Sequence, residues 1–190
     1  MKKSVPIGAV VVGLAALAMV LFKALRGDVV MPVIVAIGVI GGAGAILAWM
    51  AWDRRIFTRA ISRLRETGSW DYVIGGYLVD VEYRNPGTPK PPKGEVVLAA
   101  GPTGISLYDP RSRSNEPILV TIWPNLIDLT LGTGHFMRAE YPALVMATME
   151  GRVVVVLRAN EKSGIRSVGS ADTAQLVDQL RHLRPNAFFE

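Results

Sequence analysis

The chain has 190 residues, of which 50% are hydrophobic and 19% are charged, and its formal net charge is +5 at pH 7. This length allows one domain, or a small domain with a further segment, and the mean hydropathy of +0.31 is high for an ordinary soluble domain. Because the chain contains no cysteine, disulfide frameworks, thiolate metal sites and thiol nucleophiles are excluded.

The positive charge is concentrated towards the N-terminus. Residues 1–28 contain four Lys or Arg and one Asp, and residues 53–65 contain five Arg and one Asp. Residues 66–190 contain 12 Lys or Arg and 14 Asp or Glu. A nucleic-acid-binding domain is expected to carry a basic face on the folded domain itself. The segment long enough to fold in water is mildly acidic, so nucleic acid is not an expected partner.

Two uncharged apolar runs, residues 5–22 and 29–52, are separated by the short sequence KALRGD. As helices they would extend for roughly 27 Å and 36 Å, which matches a hydrocarbon core of about 30 Å. The sequence therefore predicts a transmembrane helical hairpin over residues 1–52.

The alternative for the first run is a signal peptide. Lys2 and Lys3 precede the run, and Ala16-Leu17-Ala18 resembles a cleavage site. Cleavage there would leave the apolar residues 19–22 at a new N-terminus, which favours a transmembrane helix.

The distribution of lysine and arginine predicts the orientation of the hairpin. The side shared by its two ends carries Lys2, Lys3 and five arginines, whereas the turn carries Lys23 and Arg26. We therefore expect a multi-pass protein of the cell (inner) membrane, with the lipid bilayer as a partner and with both termini in the cytoplasm.

Small residues recur at a spacing of four in both runs. Gly38 and Gly42 form a GxxxG pair in the second run, and Ala9 and Gly13 have the same spacing in the first. Such residues allow close approach of helix backbones in lipid. Packing of the two spans on each other is the expected result, and homodimerisation is the alternative.

Residues 53–67 form a basic segment with helical periodicity. Ile56, Phe57, Ala60, Ile61 and Leu64 fall on one face, and Gly68 follows the pattern as expected beyond a helix. The segment predicts an amphipathic juxtamembrane helix lying along the inner membrane surface near anionic headgroups. Its candidate membrane-surface residues are Arg54, Arg55, Arg59, Arg63 and Arg65.

From Trp70 onward, short β-prone runs alternate with turns. The sequence GPTG and the pair Glu150-Gly151 predict tight hairpin turns, and Gly75-Gly76 predicts a bulge or bend. The segment NPGTPKPPKG predicts a stiff, exposed loop.

A final helix is expected after Ser170, which can act as its N-cap. Its apolar stripe is spaced to pack on a sheet, Pro185 stops it, and residues 186–190 form a tail. The stripe consists of Ala174, Leu176, Val177, Leu180 and Leu183.

The order of these runs resembles that of bacterial PH-like (GRAM-like) domains. The resemblance is carried by EVVLAAGPTGISLYD, EPILVTIWPNLIDLTLG, PALVMATMEGRVVVVLRAN and SVGSADTAQLVDQLRHLRP. It covers about residues 95–185, within a domain that we place at residues 70–185. Ile122-Trp123-Pro124 departs from the Ile-Pro-Trp order of many relatives.

This resemblance implies an α+β fold in which a bent antiparallel β-sheet or barrel is closed by a C-terminal α-helix, here preceded by the membrane anchor. It implies an interaction module and transfers no catalytic residues. Lipid binding in such domains uses cations at the open end of the sheet. The candidate loop cations here are Lys90, Lys93, Arg111 and Arg113.

The residues give little support for catalysis or for a cofactor. His135 is near Asp128 and Glu140 in sequence and could form an acid–base pair, whereas His182 suits the end of the final helix. Too few ligands are present for a metal site, and phosphate-loop and dinucleotide fingerprints are absent. An enzyme would require a deep polar pocket around His135.

We therefore expect a membrane-anchored interaction module without catalytic activity or cofactor, binding a protein partner or further copies of itself. The alternative is a domain that senses anionic lipids or their headgroups at the inner membrane surface.

Overall fold

We describe a computed structural model of the chain over residues 30–67, 69–136, 138–158 and 167–184. It divides into two compact units, Met1–Ala51 and Trp52–Glu190. The first predicted span, with Ala9 and Gly13, lies outside the described residues, as does the tail at 186–190.

Helix α1 (Val30–Glu66) contains residues 30–52 of the second predicted span. Its apolar side chains in the first unit are exposed, as Ile40 at 72% illustrates. Among the described residues, α1 is one helix long and apolar enough to cross a membrane, where two had been predicted over the whole chain. A Cβ added at Gly38 or Gly42 would meet no atom within 4 Å. The described part of the chain therefore contains no helix packed against this GxxxG pair.

The part of α1 that belongs to the second unit is amphipathic, as predicted, and its apolar face packs on a β-sheet. Phe57 and Ile61 are 2% and 1% exposed because they pack on the outer face of a β-sheet. Their neighbours on the sheet are Val73, Val97, Ala99 and Tyr108. The sheet therefore removes this apolar face from water, and the predicted position of the helix along the inner membrane surface stays a prediction.

Seven antiparallel strands form one sheet, in the order β4-β3-β2-β1-β7-β6-β5. The strands are β1 (Tyr72–Tyr83), β2 (Gly94–Gly101), β3 (Gly104–Tyr108), β4 (Leu119–Ile122), β5 (Leu126–Phe136), β6 (Ala139–Thr148) and β7 (Gly151–Leu157). The two predicted tight hairpins are present as the β2–β3 and β6–β7 connections.

The sheet curls into a half-barrel because its two edge strands are neighbours in sequence. A single 3-10 turn, Trp123–Asn125, joins β4 to β5. The Trp123 side chain is 1% exposed, and its Nε1–H donates a hydrogen bond of 2.9 Å to the Gly101 carbonyl. This buried indole anchors the turn on the β2–β3 hairpin.

Helix α2 (Ser170–His182) packs on β5 and β6, and it completes the core inside the curl. Val177 and Leu180 are buried there, and Leu176 and Leu183 are partly buried, as the predicted stripe requires. The N-cap position is Gly169 and not Ser170. The first turn is instead supported by the Thr173 hydroxyl, which donates to the Gly169 carbonyl at 2.8 Å.

The end of the β5–β6 hairpin folds back over the outer face of β1 and β7. A Cβ at Gly134 would lie 2.9 Å from methyl groups of both Val79 and Val156, so this position has room for glycine alone. Beyond it, the Phe136 ring stacks on the Tyr77 ring with centroids 4.3 Å apart. The outer face is therefore covered twice, by α1 on one side and by this hairpin on the other.

Replacing Phe57 with alanine should lower the free energy of unfolding of the second unit by about 3–5 kcal/mol, because it opens a cavity between α1 and the sheet. Urea unfolding of the full chain in detergent, followed by tryptophan fluorescence, measures this change. Thr58→Ala is the matched control, since Thr58 is exposed one position away, and it should cost less than about 0.5 kcal/mol. Equal losses in both variants would contradict this packing.

Candidate functional site

A groove with a volume of about 540 Å³ lies between the polar face of α1 and the loop that joins β3 to β4. We call it the arginine groove, because four of its lining residues are arginines. The residues that line it are Trp52, Ile56, Arg59, Arg63, Pro110, Arg111, Ser112 and Arg113.

Arg63 ties the two walls of the arginine groove together. Its Nη1–H donates to the Arg113 carbonyl at 3.1 Å, and its Nη2–H donates to the Ser112 carbonyl at 3.0 Å. Both bonds consume guanidinium donors but leave the positive charge uncompensated. The Ser112 and Ser114 hydroxyls, 3.2 Å apart, stiffen the same loop.

The remaining arginines of the groove differ in their partners. Arg111 forms an ion pair of 2.8 Å with Glu95 on β2. The guanidinium groups of Arg59 and Arg113 have no hydrogen bond or ion pair with any described residue. One concave surface thus combines guanidinium groups held by protein contacts, those of Arg63 and Arg111, with the unpaired guanidinium groups of Arg59 and Arg113. Such a combination suits the binding of an oxyanion.

The structure brings together two sets of residues that the sequence had offered separately. Arg59 and Arg63 of the juxtamembrane set meet Arg111 and Arg113 of the loop set. The other three juxtamembrane arginines lie elsewhere. Arg54 and Arg55 are exposed outside the groove, and Arg65 donates to the Val73 carbonyl at 3.4 Å.

The two lysines of the proline-rich loop do not join the arginine groove. Lys93 forms an ion pair of 2.9 Å with Asp80, and this hydrogen bond holds the pKa of Asp80 below its usual value. Lys90 is exposed and also lowers the pKa of Asp80 through its charge. The four predicted loop cations therefore do not form one cluster.

A buried ion pair connects α1 to the end of β7. Asp53 Oδ2 accepts a hydrogen bond of 3.2 Å from Arg158 Nη2, and the side chains are only 7% and 5% exposed. The Arg158 guanidinium also stacks 3.7 Å from the centroid of the Phe57 ring. A Cβ at Gly75 would lie 3.1–3.2 Å from these two side chains.

Gly75 and Gly76 therefore have a different role from the one predicted. The β1–β2 register runs unbroken through both residues, and the bulge in β1 falls between Leu78 and Asp80 on the β7 side. The small size of Gly75 makes room for the Phe57–Arg158 stack.

Glu95 stands between the buried ion pair and the arginine groove. Burial raises its pKa, the Asp53 carboxylate raises it further, and Arg111 opposes both effects. Tyr77, its cross-strand neighbour, has a pKa raised mainly by burial. Sequence reasoning missed Asp53, Glu95 and Arg158 as site residues, and the one available signal was a lone aspartate among five arginines.

His135 lies at the exposed end of the β5–β6 hairpin. Its Nε2 is 3.3 Å from Glu140 Oε1, and the side chains are 77% and 64% exposed. This exposure is the opposite of the deep polar pocket that catalysis at His135 would require. Asp128 is engaged elsewhere, 3.8 Å from Arg181.

A second groove, of about 450 Å³, lies between α1 and α2 and is lined by both apolar and polar side chains. Arg65 and Arg158 line it, and the charge of Arg158 is compensated by Asp53. Asp172 adds a negative charge to the opposite side. This groove is therefore a poorer site for an anion than the arginine groove.

The described residues contain no group of three or more His, Cys, Asp or Glu side chains that could hold a metal ion. The sequence matches no protein-family model and no curated protein. The site must therefore be interpreted from its own geometry.

Replacing Arg158 with methionine should cost about 3–5 kcal/mol of folding free energy, because it leaves the Asp53 carboxylate buried without its partner. The double variant Asp53→Asn/Arg158→Met should recover part of this loss, since no charge is then stranded. A double-mutant cycle by urea unfolding, with Asp53→Asn as the other single variant, gives the coupling energy. Strictly additive effects would argue against the ion pair.

Proposed function

We propose that the chain is a membrane-anchored, non-catalytic binding module that recognises the phosphate of anionic phospholipid headgroups through the arginine groove. One observation supports this most directly. The groove is lined by four arginines, and none of the described residues that line it is acidic.

The chemistry of the groove suits a lipid phosphate better than a bare anion. Guanidinium groups match phosphate oxygens geometrically, and each cation near an anionic surface contributes about 1 kcal/mol. Trp52, which is 61% exposed, and half-buried Ile56 add an apolar wall. Tryptophan is favoured where one side of a site is wet and the other apolar, and Trp52 is the last residue of the uncharged run.

The proposal includes the architecture expected from the sequence. The strand order and the closing helix α2 support assigning a PH-like fold to the second unit. The apolar length of α1 supports membrane anchoring. We further propose a multi-pass protein of the cell membrane with both termini in the cytoplasm, needing neither nucleic acid nor a cofactor.

A protein partner, or a second copy of the chain, is the second candidate. It is favoured by the free edge of β4, where Val120 and Ile122 are 56% and 43% exposed. An open strand edge with apolar side chains can pair with another chain.

Arg59→Gln and Arg113→Gln should each weaken binding of short-chain phosphatidylglycerol about fivefold, since each removes one uncompensated cation. Native mass spectrometry of the full chain in zwitterionic detergent counts the bound lipid, with phosphatidylcholine as the neutral reference. Arg152→Gln is the matched control, because it removes the same charge from an exposed position on β7.

Binding that is equal for the two lipids, or equally weakened by Arg152→Gln, would overturn the headgroup proposal. A dimer population that is the same with either lipid, and that Val120→Lys reduces, would instead support the second candidate.

Cysteine labelling tests the proposed topology, because the chain has no native cysteine. Asn115→Cys, in the exposed β3–β4 loop, should react with a membrane-impermeant maleimide only after the cells are permeabilised. Gly27→Cys, in the turn between the two apolar runs, should react in intact cells. Labelling of Asn115→Cys in intact cells would contradict the cytoplasmic location and favour the signal-peptide alternative.

A further inference from the structure

We propose that Glu95 is an internal competitor for the arginine groove: its carboxylate occupies Arg111 until a phosphate group replaces it, and proton uptake by Glu95 strengthens phosphate binding. This inference rests on the function proposed above, and it concerns the regulation of the same site.

The competition follows from the position of Arg111. This residue lines the arginine groove and also a neighbouring hollow of about 340 Å³ that contains Glu95. Its Nη2–H donates to Glu95 Oε2 at 2.8 Å, and its own side chain is 58% exposed. A guanidinium group engaged by one carboxylate offers fewer donors to a second oxyanion. A phosphate in the groove and an ionised Glu95 therefore compete for the same donors.

The surroundings of Glu95 favour its protonated form. The Asp53 carboxylate faces it from α1, Tyr77 faces it from β1, and Arg111 faces it from the β3–β4 loop. Lys93 and Asp109 line the same hollow, but Lys93 is paired with Asp80, and Asp109 accepts the Arg111 backbone N–H at 2.8 Å. Two carboxylates thus share a partly buried site, and within the described part of the chain Arg111 is the one arginine that forms an ion pair with Glu95.

A second geometric feature points the same way. Asp53 Oδ1 is buried and has no hydrogen-bond donor within the described part of the chain. A protonated Glu95 would supply that donor, whereas an ionised Glu95 repels the Asp53 carboxylate.

The direction of the pH effect follows from these contacts. The pKa of Glu95 is raised by burial first and by Asp53 second, so protonation begins at a higher pH than for an ordinary glutamate. As the pH falls through this pKa, Glu95 becomes neutral and releases Arg111. By reciprocity, binding of a phosphate group raises the pKa of Glu95 and draws in a proton.

The test uses the full chain in zwitterionic detergent, titrated with short-chain phosphatidylglycerol and separately with dimethyl phosphate. Both probes are phosphodiesters whose charge is constant between about pH 5 and 8, so that a change in affinity reports the protein. Stronger binding of the lipid than of dimethyl phosphate identifies a headgroup site, and equal binding identifies a site for phosphodiesters in general.

We expect the wild-type chain to bind about fivefold more tightly at the acidic end of this range. Glu95→Gln should bind more tightly than the wild-type chain at neutral pH, and its affinity should not change with pH. Asp80→Asn removes an equivalent charge from the Lys93 pair and should retain the wild-type pH dependence.

The outcomes separate this inference from the proposed function. In one outcome the wild-type chain binds the probes and Arg59→Gln weakens this binding, but Glu95→Gln keeps the pH dependence or binds less tightly than the wild-type chain at neutral pH. The proposed competition is then wrong, whereas the arginine groove remains the proposed binding site. If neither the wild-type chain nor Glu95→Gln binds either probe, the proposed function fails and this inference fails with it.

Discussion

The packing of α1 on the outer face of the sheet is the interaction on which the rest of the second unit depends. Phe57, Ile61 and Leu64 bury almost completely against β1, β2 and β3. Since a helix presents opposite faces to opposite surroundings, this burial turns the arginine-rich face outward. It also brings Arg63 within hydrogen-bonding distance of the β3–β4 loop. The arginine groove is thus a consequence of the packing of the apolar face of α1 on the sheet.

The curl of the sheet explains why an outer face needed covering. Joining the two edge strands through Trp123–Asn125 bends the sheet so that its concave side fills with the side chains of one core, closed by α2. The convex side of β1, β2, β3 and β7 is apolar as well, which is unusual for a sheet expected to face water. Two separate elements cover it: α1, and the folded-back β5–β6 hairpin with its Phe136–Tyr77 stack.

Sequence patterns predicted the helices and strands better than the surfaces against which they pack. Alternation and turn chemistry indicated the β2–β3 and β6–β7 hairpins, and helical periodicity indicated both α2 and the amphipathic end of α1. Periodicity does not reveal what an apolar face packs against, because a bilayer and a sheet select the same Phe57-Ala60-Ile61-Leu64 spacing. The contacts within the site could not be predicted from these patterns, because the partners are far apart in sequence: Arg63 and Ser112 by 49 residues, and Asp53 and Arg158 by 105. The resemblance to PH-like domains and the first span remain predictions.

The positions of the acidic residues determine how the positive charge of the arginine groove is balanced. Four arginines in one groove repel one another, and a nearby carboxylate relieves that repulsion when no anion is bound. A fully buried carboxylate paired with Arg111 would hold it permanently, and a fully exposed one would hold it weakly. Glu95 is intermediate, with 20% of its side chain exposed, and Asp53 disfavours its charge. Such a carboxylate can stabilise the groove without a bound anion and still be displaced, which is the property that the proposed anion site requires.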